Sequence, residues 1–193
     1  MTIRCLVTGH NADGRAVFVS DSQVQPDRIP GIGFEFAKLW GADLPQSFPD
    51  AGQVPQYRDY FPPRNGYRFG LFTFPPATGA PLSAGERQTA FQVMGELFPG
   101  LPGHMEPHNP GMHTSDSVDF GYVVSGSIWL ELDDGVEREL HPGDTYVQNG
   151  TRHAWRNRSA APCTILVVLI GTERSPSGAE VARRSMVQST EQR

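Results

Sequence analysis

The stretch between His113 and Ile170 is cut again and again by turn-forming residues: Gly126, Asp133-Asp134-Gly135, Pro142-Gly143-Asp144 and Asn149-Gly150. What lies between the cuts is only of strand length. The apolar and polar pattern predicts strands at His113–Val118, Phe120–Ser125, Ser127–Leu132, Val136–Leu140, Thr145–Gln148, His153–Arg156 and Thr164–Ile170. Segments this short cannot hide an apolar face alone and must pair with one another. Short strands at regular spacing, separated by turn residues, predict an all-β antiparallel sandwich or barrel. Within the last strand, Leu166, Val168 and Ile170 share one face and read as core or interface.

The preceding half of the chain is less regular. Arg4–Thr8 and Arg15–Ser20 flank Asn11-Ala-Asp-Gly14, a turn whose Asp-Gly favours positive φ, so a hairpin is expected. From Gln25 to Pro63 scattered apolar residues and frequent prolines predict irregular structure with a single short strand near Gly33–Leu39. Tyr67–Phe74 alternates and stops at Pro75-Pro76, as a strand does. Ser83-Ala-Gly-Glu86 has the spacing of a capping box, and Phe91, Met94, Leu97 and Phe98 follow at helical intervals until Pro99-Gly100. The organisation read from this is an N-terminal extension (1–104) with strands and one helix packed on the barrel. A barrel segment (105–171) follows, and then a polar tail (172–193) with one helical turn near 179–186.

Composition excludes several functional classes. At 193 residues and a formal charge of -5, with acidic and basic residues interspersed, there is no electrostatic case for a nucleic-acid partner. No apolar run reaches the roughly 20 residues of a membrane span, and the first residues lack the pattern of a secretion signal. Cys5 lies in a predicted strand and Cys163 at the start of one, and both read as buried thiols in a reducing compartment. A cytoplasmic protein with a small-molecule substrate is the expectation.

The chemistry concentrates on two segments. If the first strand is unbroken, His113, Ser115, Ser117 and Asp119 share one side. On a later strand His153, Trp155 and Asn157 do the same, so His113 could face His153 across the barrel. Polar side chains on an inward face need a partner, because burying them unsatisfied costs free energy. A metal ion or a hydrated ligand cavity would supply it. His10 and His141 read as solvated turn residues. His108, in the loop Leu101–Gly111, is an ordinary loop residue or, if the loop folds over the mouth, a further ligand.

At these residues the sequence resembles the cupin superfamily. In its second signature motif Gly150, His153 and Asn157 keep their spacing downstream of Gly143, and Gln148 stands where a proline is expected. In the first motif His113 matches the first histidine and Asp119 the glutamate before Gly126. Ser115 replaces the second histidine, and Gly111 lies closer in than the usual leading glycine. The resemblance covers Met105 to Gly171 and implies a jelly-roll barrel, that is, a double-stranded β-helix. It also implies a homodimer and a divalent metal (Fe, Mn, Ni or Zn), here held by His113, Asp119 and His153. Two imidazoles and one carboxylate suffice for a site with open positions.

Three functional expectations follow. The first is a metal-dependent enzyme with oxidoreductase (dioxygenase-like) or lyase chemistry on a small organic acid, phenolic or polyketide-like carbonyl substrate, as in cupins of bacterial catabolism and polyketide clusters. Ser115, Tyr146, Gln148 and Arg156 would contact that substrate. The second is a metal-free dehydratase, isomerase or cyclase in which His113 and His153 act as acid and base. The third is a non-catalytic ligand-binding barrel.

Overall fold

The computed structural model describes residues 2–54, 56–76 and 82–175. Strands β1 (Ile3–His10) and β2 (Ala16–Val24) form a separate hairpin. Its turn is built by Asn11, whose side-chain oxygen accepts from the backbone N–H of Asp13 and Arg15. Next come β3 (Asp27–Arg28) and β4 (Glu35–Ala42), the latter being the short strand expected in an otherwise irregular stretch. Strand β5 (Tyr67–Phe74) matches its sequence pattern.

Helix α1 (Ala84–Leu97) starts on the expected capping box: Glu86 N–H donates to Ser83 Oγ, and Ser83 N–H donates to the Glu86 carboxylate at 2.8 Å. Its buried stripe runs through Ala90, Met94 and Leu97, at i, i+4 and i+7. That rotation leaves Phe91, expected in the stripe, 52% exposed. A four-residue helix, α2 (Leu101–His104), follows in what reads as loop.

The rest is β: β6 (Ser117–Ser125), β7 (Ile128–Glu131), β8 (Glu137–Leu140), β9 (Thr145–Asn149), β10 (Ala154–Arg156) and β11 (Cys163–Gly171). Two sheets face each other, one in the order β3-β4-β5-β11-β6-β9 and one in the order β10-β7-β8. Ile128 of β7, Leu140 of β8 and Trp155 of β10 join Phe36, Phe72, Val123, Ile165 and Val167 of the larger sheet in one core. This is the jelly-roll arrangement. Phe36 and Phe72 stack at 4.4 Å between ring centroids at its centre. Each such buried aromatic contributes roughly 1.5–3 kcal/mol over leaving it exposed. Strands β4 and β5, although they precede residue 104, therefore form wall and core of the same barrel.

One strand expectation needs correction, and the choice between core and interface for the Leu166, Val168 and Ile170 face is narrowed. His113–Val118 is not a strand: the ladder begins at Ser117, and His113 joins only through isolated bridges to Met105 and His153. Between them, the carbonyls of Ser115 and Asp116 accept from Arg174 and from Thr172 N–H instead of from a neighbouring strand. On β11 the buried face is Cys163, Ile165, Val167 and Leu169, while Leu166, Val168 and Ile170 point outward. Both faces of that strand are apolar, so alternation alone could not choose between them. The register did: Ile165, Val167 and Leu169 pair with Val123, Gly121 and Asp119, the inner residues of β6.

Both cysteines are free thiols; Cys163 is buried as expected, whereas Cys5, on the hairpin outside the two facing sheets, is only half-buried. Among the described residues no helix is long and apolar enough to cross a membrane. The helical turn expected near 179–186 lies outside the described residues.

Candidate active site: a histidine pair on the barrel wall

His113 and His153 come from segments far apart in the chain and meet as an antiparallel bridge. Each N–H donates to the other's carbonyl at 2.9 Å, so the two side chains leave the backbone on the same side. Their rings lie 4.3 Å apart, centroid to centroid. His113 Nδ1 sits 3.0 Å from the Gly111 carbonyl and His153 Nδ1 sits 2.9 Å from the Thr151 carbonyl. A carbonyl can only accept, so each Nδ1 carries the proton and each Nε2 presents a lone pair. Burial pushes the His153 imidazole down to about 4, helped by its neighbour His113. Burial lowers His113 as well, its hydrogen bond to Gly111 opposing and His104 assisting. Both rings are neutral near pH 7.

The inner wall beside them is polar. Ser117 Oγ donates to Asp119 Oδ1 at 2.6 Å and lies 3.0 Å from Ser115 Oγ. Its single proton is committed to the carboxylate, so it accepts from Ser115. Asp119 is 7% exposed, and burial raises its carboxyl to about 6 against the Ser117 hydrogen bond. Across the strand pair from Asp119 stands Gln148, 4% exposed, whose Oε1 accepts from Thr151 Oγ1. Its Nε2 is buried without a partner. Tyr146 packs on Trp155 at 4.6 Å and lies over Gly121, where a Cβ would stand 2.1 Å from the phenol ring. Burial and the nearby Asp119 carboxylate both push the Tyr146 phenol up.

Of the residues singled out in the sequence, His113 and His153 are in ring contact. Ser115, Asp119 and Gln148 are buried, and Tyr146 is half-buried. Arg156 is otherwise engaged: it binds Glu131 at 2.6 Å, the Pro110 carbonyl and Asn109, strapping the 105–111 loop to the small sheet. His108 is exposed. The histidine that does approach is His104, held by Nδ1 at the Thr114 carbonyl and packed on Phe61 at 4.5 Å. Tyr60 and Phe61 come from a stretch read as irregular, and no periodicity marks them. Tyr60 is buried close enough to Asp119 for the carboxylate to help raise its phenol.

The resemblance implies a metal, and the donor set answers that only in part. Two imidazoles offer proton-free Nε2 atoms with their Nδ1–H groups anchored on carbonyls, which is how ligating histidines are usually held. The next ligand position is Ser115, and Asp119 Oδ1 is occupied by Ser117. Among the described residues no three His, Cys, Asp or Glu side chains come together as a set that could hold a metal ion. The residues present do not fit the full ligand set that the resemblance implies.

Comparison with known proteins agrees with the fold. The Cupin domain model matches residues 101–169. Oryzines biosynthesis cluster protein J of Aspergillus oryzae is 46% identical over 156 residues, covering 79% of this chain and 73% of its own. Phomopsin biosynthesis cluster protein C' of Diaporthe leptostromiformis is 54% identical over 48 residues, and that match spans only 25% of the fungal protein's length. A cupin-domain-containing oxidoreductase of Hypocrea virens, virC, is 25% identical over 78% of this chain and 65% of its own. The chain belongs to the cupin superfamily, with relatives in biosynthetic clusters.

Proposed function

We propose that this cupin is an enzyme of specialised metabolism that moves a proton on a carbonyl-bearing small molecule, with His113 and His153 as the reacting groups. The observation that carries this reading is the pair of neutral imidazoles, each oriented by a carbonyl at Nδ1 and each presenting Nε2. An imidazole so held can take a proton from carbon α to a carbonyl. The imidazolium it becomes can return that proton elsewhere, which is the chemistry of an isomerase, dehydratase or cyclase. Ser115, Asp119, Tyr146 and Gln148 line the same wall and bind and orient the substrate. Positioned acid–base groups of this kind contribute about 10²–10⁴-fold.

A second reading keeps the metal. The two free Nε2 atoms favour it: His113 and His153 would hold a divalent Fe, Mn, Ni or Zn with its other positions open to substrate oxygen, and the ion's Lewis acidity or oxygen chemistry would supply an oxidoreductase or lyase. Elemental analysis of protein purified without chelator decides between the two. Stoichiometric metal that is lost in His153→Ala supports the second, and unchanged turnover in EDTA supports the first.

The first reading is tested by proton exchange. Wild-type protein should accelerate deuterium incorporation α to the carbonyl of an aryl methyl ketone in D₂O, followed by NMR, and His113→Asn/His153→Asn should not. Binding without exchange in the wild type would instead make this a ligand-binding barrel.

We also propose a homodimer. The outer face of the large sheet exposes Phe120, Tyr122, Val124, Val147 and Ile170, an apolar stretch of the kind that marks an interaction surface.

A further inference from the structure

Gln148 stands in the inner wall with half of its amide unused. Oε1 accepts from Thr151 Oγ1 at 2.5 Å, and Nε2 is buried with no partner. A buried donor left unpaired is a liability that folding alone gives no reason to keep. The corresponding position of the cupin motif is a proline, which has no side-chain donor at all. Cross-strand from it is Asp119, whose Oδ1 is already taken by Ser117. Side chains directly opposite on paired strands have their Cβ atoms about 4.5–5.5 Å apart. Gln148 and Asp119 therefore leave the sheet side by side on its inner face, both buried.

The surroundings say which acceptor suits that donor. A carboxylate would meet Asp119, and two carboxyls sharing a site repel. The cations around this wall are committed elsewhere: Arg152 to Glu106 at 2.5 Å, Arg156 to Glu131 at 2.6 Å and Arg174 to Asp116 at 2.6 Å. The neighbouring rings of Tyr146 and Trp155, with Trp155 6.2 Å from His153, offer an apolar, aromatic lining. We infer that Gln148 Nε2 is the donor that receives a neutral carbonyl oxygen of the substrate, so that the site selects an uncharged aromatic ketone or aldehyde over a carboxylic acid of the same size. This inference rests on the proton-transfer reading for the location of the site and narrows its substrate class.

A matched pair of probes tests it on the whole chain: 2-acetonaphthone and 2-naphthoate, compared by ligand-observed NMR and calorimetry at pH 7.5. Wild type should bind the ketone more tightly than the acid. Gln148→Met should weaken ketone binding about 3- to 10-fold, the worth of one hydrogen bond, while its Tm stays level or rises. Tighter binding of the naphthoate, no binding of the ketone, ketone binding unchanged in Gln148→Met, or a Tm lowered by several degrees in that variant each overturns the assignment. Loss of deuterium exchange with ketone binding intact strikes the histidine chemistry instead, so the two failures are distinguishable.

Discussion

His113 and His153 donate their backbone N–H groups to each other's carbonyls, 2.9 Å in both directions, and this reciprocal bridge sets their imidazoles 4.3 Å apart. Ring placement is thus a backbone property. His113→Asn or His153→Asn should leave the bridge and the fold intact while removing one Nε2 lone pair. Either variant is expected to lower proton exchange by about 10²-fold or more, with a far-UV circular dichroism spectrum like that of wild type. A spectrum that collapses with activity would assign the pair a structural role.

The two buried titrating groups oppose each other in acid. His153 has its folded value depressed to about 4 from an ordinary 6.5, so its contribution is complete above 6.5 and is lost as pH falls toward 4. Asp119 is raised to about 6 from 3.8, so its contribution is complete below 3.8 and is lost as pH rises through 6. Between pH 6 and 4 the two slopes largely cancel, each worth up to about 3 kcal/mol over its range. Removing one partner should expose the other. Chemical denaturation from pH 7.5 to 4.5 should find Asp119→Asn losing stability on acidification more steeply than wild type, and His153→Asn losing less or gaining. Parallel curves for all three proteins would contradict these assignments.

Gly121 is required by the Tyr146 ring, because a Cβ at Gly121 would lie 2.1 Å from it and Trp155 closes the space behind. Gly121→Val should cost about 1–3 kcal/mol as an overpacked site. Tyr146→Ala in the same chain should recover part of that loss. A double-mutant cycle in urea reads the coupling, and strict additivity would show that the ring moves freely aside.

Arg156 acts here as a strap. With Glu131, Pro110 and Asn109 as its partners, Arg156→Met should speed amide exchange at Asn109 and Gly111 while barely changing the affinity for 2-acetonaphthone. A large affinity loss with unchanged exchange would make it a substrate contact after all.

The outer sheet face predicts its own test. Phe120→Lys with Val147→Lys places two charges in the exposed apolar stretch and should shift sedimentation from dimer to monomer without lowering the content of β-structure. A wild type that sediments as a monomer at micromolar concentration would remove the dimer.

The local signals in the chain held wherever one residue or turn carries the structure by itself. The Ser83–Glu86 capping box, the Asn11–Gly14 turn and the alternation of Tyr67–Phe74 all lie within a few residues and depend on nothing distant. His113, His153 and Asp119 were legible as residues of interest because the cupin motif spacing preserves them. Their arrangement was not legible. The run from His113 to Ser117 looks like strand, yet Ser115 and Asp116 give their carbonyls to the segment after β11, a contact nearly sixty residues away in the chain. The inner face of β11 was equally hidden, since both faces are apolar and only pairing with Ser117, Asp119, Gly121 and Val123 decides it.

By itself, then, the chain's order of residues determined an all-β fold, its turns, its capped helix and the two segments that carry the histidines, because those depend on local backbone preference and spacing. The tertiary structure alone decided that Gln148 keeps an unused donor, that Arg156 is bound to the loop and that His104 rather than His108 approaches His113. Burial and hydrogen-bond satisfaction are properties of what surrounds a side chain once distant segments have met, and no window of sequence contains those neighbours.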